Sequence, residues 1–343
     1  MLIPFRLKLF TAIVLLLISC STLQSSIPEE TVPDQPLTSV EACYSSVSAA
    51  HSPLWYAYEN KIFEKYGLDV SITSVGGGSS AATAMIAGDF KICQIAAPAV
   101  LNAVIAGEDL VFFGGLYNDY LYKLMVTPDI KSPQDLKGKA VAITQPGTLT
   151  AGASRAALLH LGLDPDTDVI LLNIGGEPTR LAAMDSGQVA ATVFTPPNTL
   201  KAQEAGFNIL LDLVDLNQPF LRLGYAASRS FMEGNPEVMV NFSKAIIEAI
   251  QEMQSDPEGT KSIMAEYLSL DEETDAESLV EAYQELILKN VSETLLLPPD
   301  GIEAVLEIII TQNPAAADYS AGDFIDTRII EEINKSGFVE SLK

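Results

Sequence analysis

Short strand-like runs alternate with helix-like segments from residue 41 onward, and this alternation limits the folds open to the chain more than any other feature. Each helix-like segment of the first stretch is followed by a glycine. Strands alternating with helices of this length form right-handed βαβ units around a mostly parallel sheet. The predicted strands of this stretch are residues 42–47, 68–74, 91–96 and 110–115, and the predicted helices are residues 53–63, 81–87 and 98–106.

The same pattern starts again after Tyr122 and gives way to helices near residue 226. The remaining residues, 226–343, are mainly amphipathic helices joined by turns rich in Pro, Gly or acidic residues. We expect two α/β units and a C-terminal helical block that completes the first one; a partner-docking face is the alternative for this block. The predicted strands of the second unit are residues 124–127, 140–144, 169–173, 189–194 and 209–212.

The N-terminus has the pattern of an export signal. Arg6 and Lys8 precede an apolar run at residues 9–18, which is too short to span a membrane, since a span takes about 20 residues. The run ends at Cys20 in the sequence LISC, which resembles the lipobox of bacterial lipoproteins. We expect a signal peptide over residues 1–19, an acylated Cys20 and a flexible tether over residues 20–38; a plain secretory signal is the alternative.

Composition excludes several classes of protein. The net charge of −25 argues against nucleic-acid binding and against electrostatic docking on anionic lipid, since both need basic residues. Most of the acidity lies in residues 226–343, with 24 acidic against 7 basic residues, and indicates a solubilising surface. With two His and three Cys, the chain has no metal-ligand spacing, and we expect no metal, no cofactor and no catalysis. Buried thiols are the default for Cys43 and Cys93; a bridge between them is the alternative.

Several motifs in a fixed order carry a family resemblance that covers roughly residues 40–240. Together they resemble the substrate-binding proteins of ABC importers in the nitrate/sulfonate/taurine and thiamine-pyrimidine-precursor (NMT1/THI5-like) group. The motifs are LWYAYENKIFEKYGLDV at residues 54–70, GGG at 76–78, AGDF at 87–90, KSPQDLKGK at 131–139, GLDP at 162–165 and LAAMDSGQV at 181–189.

The resemblance implies an α/β chain of the periplasmic-binding-protein type II fold, with two doubly wound α/β lobes joined by two hinge strands near residues 124–127 and 224–228. One lobe would combine residues 39–125 with 226–343, and the other would be residues 126–225. The implied molecule is a monomeric, lipid-anchored extracytoplasmic protein in the periplasm or on the cell surface. It would pass a small molecule to the permease and ATPase subunits of an ABC importer.

Two ligand classes and two other functions stay open. The ligand is a sulfonate- or nitrate-like anion, or a pyrimidine or other aromatic compound. A sensor, or an enzyme of thiamine-pyrimidine synthesis on the same fold, is the alternative function. The Cys-rich active-site motif of such enzymes has no counterpart here, because Cys43 and Cys93 stand alone.

Open α/β sheets bind ligands beyond the carboxyl ends of their strands, where loop amides and helix N-termini converge. We therefore expect ligand contacts in the loops after the strands. Trp55 is either a stacking wall or core packing, and His51 is either a hydrogen-bond donor or a surface residue. Arg222 is a second cationic candidate beside Arg180, for which a solvated helix face is expected. The predicted ligand-binding residues are Ser48, His51, Trp55, Gly77, Gly78, Ser79, Ala97, Pro98, Tyr117, Asn118, Gln145, Gly147, Thr148, Thr150, Glu177, Thr195 and Pro196.

Overall fold

Two five-stranded sheets organise the residues that the computed structural model describes, 36–146 and 148–343. The predicted signal peptide, Cys20, most of the tether and Gly147 lie outside the described residues. The ten strands are β1 (Thr38–Tyr44), β2 (Leu68–Ser74), β3 (Ile92–Ala96), β4 (Leu110–Tyr117), β5 (Lys123–Val126), β6 (Ala140–Ile143), β7 (Ile170–Asn173), β8 (Ala191–Phe194), β9 (Asn208–Asp212) and β10 (Leu223–Ser228).

Each sheet is parallel except where the chain crosses into it. The first sheet has the strand order β2-β1-β3-β10-β4, in which β10 runs antiparallel to both neighbours. The second has the order β7-β6-β8-β5-β9, in which β5 is antiparallel to β8 and β9. In both sheets the strand that the chain enters after crossing over, β10 or β5, lies inside the sheet and pairs with two neighbouring strands.

Residues 118–122 and 213–222 carry the chain between the sheets. They run side by side: the Phe220 amide donates to the Asn118 carbonyl at 2.8 Å, and the Tyr120 ring stacks on Phe220 with centroids 3.8 Å apart. The segments for which hinge strands were predicted, near 124–127 and 224–228, begin where these crossovers enter the sheets.

Helices cover both sheets and form most of the C-terminal block. The predicted single helix at residues 53–63 is wrong, because Lys61 takes a left-handed conformation (φ 56°) that ends one helix and starts another. The helices are α1 (Ser52–Glu59), α2 (Ile62–Lys65), α3 (Gly78–Ala87), α4 (Ala97–Ile105), α5 (Leu149–His160), α6 (Glu177–Asp185), α7 (Asn198–Glu204), α8 (Arg229–Gly234), α9 (Pro236–Ser255), α10 (Pro257–Leu268), α11 (Ala276–Ala282), α12 (Pro299–Ile310), α13 (Arg328–Lys335) and α14 (Phe338–Ser341), with a π-helix at Tyr283–Asn290.

The hydrophobic core continues from one sheet to the other. One cluster of buried side chains includes Phe112 of the first sheet, Leu124 and Val193 of the second, Phe220 of a crossover and Ile302 of α12. A separate cluster packs α9 and the other C-terminal helices on the first sheet, and a small third one lies under the second sheet. Burial of apolar surface therefore holds the two sheets together as well as each sheet alone.

Cys43 and Cys93 form a disulfide bond. They lie directly opposite each other on the neighbouring parallel strands β1 and β3, with Cα atoms 4.5 Å apart, and neither side chain is exposed. The default expectation of two buried thiols is therefore wrong, and the alternative of a bridge describes the structure. A disulfide of this kind is typical of proteins that fold in an oxidising compartment.

Candidate functional site between the two sheets

His51 lies just beyond the carboxyl end of β1, at the end of a short 3-10 turn (Ala49–His51). Its side chain is buried, and its Nε2 lies 3.2 Å from the hydroxyl of Ser46. Burial, with the positive charge of Arg222 acting in the same direction, lowers the pKa of His51 to about 3. The ring is neutral at pH 7, so it offers a hydrogen bond without a charge, and the surface-loop interpretation does not apply.

Trp55 lies deeper, in the core beneath that turn. Its ring stacks on Tyr267 of α10 with centroids 4.5 Å apart and meets Tyr44 edge-on at 5.6 Å. The residue has no exposed surface. This placement matches the core-packing interpretation, since both the face and the edge of the ring already have aromatic partners.

Arg222 stands at the junction of the sheets, one residue before β10. Its guanidinium carbon lies 6.0 Å from the ring centre of Tyr117 and 5.7 Å from that of Tyr122. Within the described ranges its Nε is buried without a hydrogen-bond partner, and so is the hydroxyl of Tyr117. A buried polar group left unpaired costs about 1–3 kcal/mol, so these two atoms are candidates for ligand contacts, as is the Nδ1 of His51, which is equally buried and unpartnered within those ranges.

The charge of Arg222 acts on groups from both sheets. Burial raises the pKa of Tyr117, Tyr122 and Glu177, and the nearby guanidinium opposes each of these shifts. The same charge lowers the pKa of His51. Arg222 therefore acts on buried groups that come from both sheets and from the first crossover.

Glu177, at the first position of α6, organises the loop after β8. It accepts hydrogen bonds from the amide and the hydroxyl of Thr195, at 3.2 and 3.0 Å, and from the side-chain amide of Asn198. Pro196 is buried between those two residues. Two predicted ligand residues, Glu177 and Thr195, are therefore in direct contact, and Asn198 joins them.

Arg180 is buried, so the expectation of a solvated helix face is wrong. Only 1% of its surface is exposed, and it donates hydrogen bonds to the carbonyls of Gly175 and Val193 and the hydroxyls of Thr144 and Thr192. Its guanidinium also lies 3.8 Å from Glu177. Arg180 thus ties strand β8 to the loops that follow β6 and β7 of the second sheet, and Glu177 balances its charge there.

Threonine hydroxyls hold the turn between β6 and α5. Thr148 caps α5 and lies 2.9 Å from the Thr150 hydroxyl, which accepts from the Thr144 amide at 3.0 Å. Gln145 is exposed, and its carbonyl accepts from the Thr148 hydroxyl at 2.6 Å. Gly147 falls outside the described residues, so the anion cradle predicted at this helix start remains a prediction.

Most of the remaining predicted contacts of the first sheet lie at helix starts, and Asn118 lies in the first crossover. Gly77 takes φ 124° before α3, a conformation that favours glycine, and an added Cβ on Gly78 would come within 3.0 Å of Ala99 on α4. At the start of α4, Ala97 is buried and Pro98 is half-buried. Ser79, in the first turn of α3, is exposed. Ser48 caps the short 3-10 turn that ends at His51. Asn118 donates to the Leu296 carbonyl at 3.0 Å and faces the C-terminal block.

Sequence reasoning missed Ser46 and Gln94 and placed Asn198 in a candidate loop without counting it among the ligand contacts. Ser46 pairs with His51, Asn198 pairs with Glu177, and Gln94 donates to the Ala50 carbonyl at 3.0 Å beneath the turn. Gln94 is a polar residue between apolar neighbours inside the predicted strand at residues 91–96, which is a signal that sequence analysis could have used. Ser46 and Asn198 carry no such signal, because their roles depend on which loops meet.

Within 36–146 and 148–343, no group of three or more His, Cys, Asp or Glu side chains is arranged to hold a metal ion. None of the helices in those ranges is long and apolar enough to cross a bilayer.

A protein-family model described as "NMT1/THI5 like" matches residues 48–260. A putative ABC transporter periplasmic binding protein of Brachyspira hyodysenteriae is 23% identical over 226 residues, which cover 60% of this chain and 62% of that protein. The taurine-binding periplasmic protein of Escherichia coli is 28% identical over 207 residues, which cover 58% of this chain and 62% of that protein. The matches thus span about three fifths of both relatives.

Solved structures show the fold. The periplasmic aliphatic sulphonate binding protein SsuA of Escherichia coli superimposes with a TM-score of 0.71 at 20% identity, covering 84% of this chain and 92% of that one. The desulfurization enzyme DSZB superimposes with a TM-score of 0.63 at 14% identity, covering 87% and 99%. The predicted periplasmic-binding-protein fold with two α/β sheets is therefore confirmed, and proteins with this fold include binding proteins as well as an enzyme.

Proposed function

Because this chain belongs to the NMT1/THI5-like family, we propose that it is an extracytoplasmic solute-binding protein that encloses a small molecule between two lobes and delivers it to an ABC importer. The lobes are the two sheets with their helices, divided near residues 125 and 225. The protein acts as a monomer, without cofactor or turnover. The periplasmic binding proteins among its relatives support this function.

Arg222 is the observation that carries the choice of ligand class. Its unpartnered Nε is buried at the junction of the sheets, between the rings of Tyr117 and Tyr122. Hydrogen bonds from a guanidinium to an oxyanion are charge-assisted and stronger than neutral ones. We infer that the ligand is a small organic anion of the sulfonate class, with its oxyanion held by Arg222.

Glu177 indicates a second requirement for the ligand. It lies within the electrostatic reach of Arg222 and carries the opposite charge. A ligand with an anionic and a cationic end, such as taurine, would place its anionic end at Arg222 and its cationic end at Glu177, where it would share the carboxylate with Arg180. The Escherichia coli relative is named for taurine, which supports testing this compound first.

Binding and thermal stabilisation test the ligand class. The mature protein is titrated with taurine, ethanesulfonate, nitrate and a hydroxymethylpyrimidine, by calorimetry and by thermal unfolding. A sulfonate present at 100 times its dissociation constant should raise the free energy of unfolding by about 2.7 kcal/mol. Tight binding of the pyrimidine with no response to either sulfonate would refute the anionic ligand while leaving solute binding intact.

Arg222→Met tests the residue itself, with Lys335→Met as the control because 76% of the Lys335 side chain is exposed, far from the junction. We expect the sulfonate dissociation constant to rise about 10- to 100-fold in Arg222→Met, because one or two charge-assisted hydrogen bonds are lost. In the control variant the dissociation constant should stay the same. If both variants bound the sulfonate as tightly as the native protein, Arg222 would not be part of the ligand site.

The anchor is a separate proposal. We infer that Cys20 carries lipid after removal of residues 1–19 and that residues 20–38 tether the globule to the outer face of a membrane. Growth with a radiolabelled fatty acid should label the native protein but not Cys20→Ser. A labelled Cys20→Ser variant, or an unlabelled native protein, would contradict this.

A further inference from the structure

The C-terminal block reaches across the junction of the sheets at the start of α7. Glu281, near the end of α11, accepts a hydrogen bond from the hydroxyl of Thr199 through one carboxylate oxygen and from the amide of Leu200, at 3.2 Å, through the other. Thr199 has no exposed surface. Helix α11 belongs to the block that packs on the first sheet, whereas α7 directly follows β8 of the second sheet.

The same short stretch of chain carries the candidate site. Thr195 and Asn198 bind Glu177, and Thr199 and Leu200, which bind Glu281, come next in sequence. The first turn of α7 is thus held from the ligand side by one glutamate and from the C-terminal block by another. Any movement of this turn toward or away from the ligand changes the distance to Glu281.

Neighbouring contacts place Glu281 in a cluster of interactions between the sheets. Lys123, at the start of β5, lies 3.8 Å from Asp212 on its own sheet and 4.0 Å from Glu285, one turn after Glu281. Elsewhere along the junction, Ile308 of α12 fills the space beside Gly152 of α5, where an added Cβ would lie 2.2 Å from its Cδ1 atom. Among these contacts, Glu281 alone binds the chain segment that follows directly from the site.

We propose that Glu281 is a latch that holds the second lobe closed over the ligand by capping the first turn of α7. The latch rests on the proposed function, since it assigns a role to closure around that site. Opening of the lobes would separate the carboxylate from the Thr199 hydroxyl and the Leu200 amide. The bound ligand orders the loop at Thr195 and Asn198 and so favours the latched state. Loss of the latch should make the lobes open more often and the ligand leave faster.

Distance measurements between the lobes test the latch without any ligand. Spin labels at Thr83→Cys on α3 and Asp185→Cys on α6, both exposed positions, report the lobe separation. In the ligand-free protein, Glu281→Gln should move the distance distribution toward longer values. Glu277→Gln is the matched control, because it removes the same charge from an exposed position one turn earlier on α11. We expect the control to keep the native distribution.

Thr199→Val and ligand release complete the test. Thr199→Val removes the hydroxyl at nearly constant volume and should lengthen the distance in the same way, and the double variant should add little to either single one. With taurine and ethanesulfonate as probes, Glu281→Gln should raise the dissociation constant up to about tenfold, mainly through faster release.

The outcomes separate the latch from the proposed function. The latch would be overturned if Glu281→Gln left the distance between the lobes unchanged. It would also be overturned if the effects of the two single variants on this distance added up in the double variant. A fall in unfolding temperature without a change in distance would also overturn it, since this would show a purely structural role. Failure of the native protein to bind either sulfonate would refute the ligand class, whereas the distance measurement in the ligand-free protein would still decide the latch.

Discussion

Breaking the bond between Cys43 and Cys93 should lower the stability of the protein by a measurable amount. The bond closes a loop of 50 residues between β1 and β3. In the chain-entropy model, a cross-link over such a loop lowers the conformational entropy of the unfolded chain and so raises its free energy by about 4 kcal/mol. The folded state should change little, because the strand pairing in register keeps both residues in place without the bond.

The expected shift follows from the size of the folded part. Unfolding entropy of about 2 cal/mol/K per residue gives roughly 0.6 kcal/mol/K for about 300 residues. A loss of about 4 kcal/mol then lowers the unfolding temperature by about 6–7 °C. Both side chains are fully buried, so the reductant acts on the unfolded chain and must be present during the scan.

The assay compares thermal unfolding of the native protein with and without a phosphine reductant, and of Cys43→Ala/Cys93→Val without reductant. The double variant separates the bond from the reductant, and its apolar side chains suit a buried site. Peptide mapping after alkylation in urea should find Cys43 and Cys93 unmodified unless reductant is added. Alkylation of both residues without reductant, or unfolding temperatures within 1 °C of each other, would refute the reasoning.

Two further predictions concern His51 and Trp55. The folded pKa of His51, about 3, lies below its unfolded value near 6.5. Between these two pH values the unfolded chain therefore binds more protons than the folded chain. The contribution of His51 to the free energy of unfolding then rises with pH by at most about 1.4 kcal/mol per pH unit. Above pH 7 this contribution stays constant. Urea unfolding of His51→Gln should show a shallower slope from pH 4 to 6 than the native protein, and parallel curves would contradict this. Tyr267→Ala removes the ring that covers Trp55, so it should shift the emission of this single tryptophan to longer wavelength and cost about 2–4 kcal/mol, while taurine affinity stays constant. A loss of taurine affinity of more than fivefold in Tyr267→Ala would indicate that Trp55 belongs to the ligand site.

Much of the fold could be predicted from local sequence patterns. Apolar runs of strand length and the glycines after helices locate the strands and helices of both sheets, since these signals depend only on neighbouring residues. The break between α1 and α2 could not be predicted, because Lys61 is not a residue type that marks a left-handed turn.

Contacts between distant segments explain what the sequence left open. Cys43 and Cys93 pair because β1 and β3 are neighbours in one particular register, and their apolar surroundings are equally typical of free thiols. Arg180 lies on a helix whose sequence is compatible with a solvated face, and it is buried because acceptors from strand β8 and from two separate loops surround it. Arg222 lies in a crossover without periodicity, so only the meeting of the two sheets makes it central.

The strand order of the first sheet has a consequence for how the chain folds during synthesis. Strand β4, with the sequence LVFFGGLY, is fully buried, and its partner in the sheet is β10, which emerges only after the entire second sheet. Its other edge is covered by residues near Phe324, which emerge later still. During synthesis β4 is thus an apolar strand without partners, and such segments aggregate readily. Folding without aggregation therefore requires that β4 make no contact with other chains until almost the whole polypeptide, including β10 and the residues near Phe324, is available to cover it.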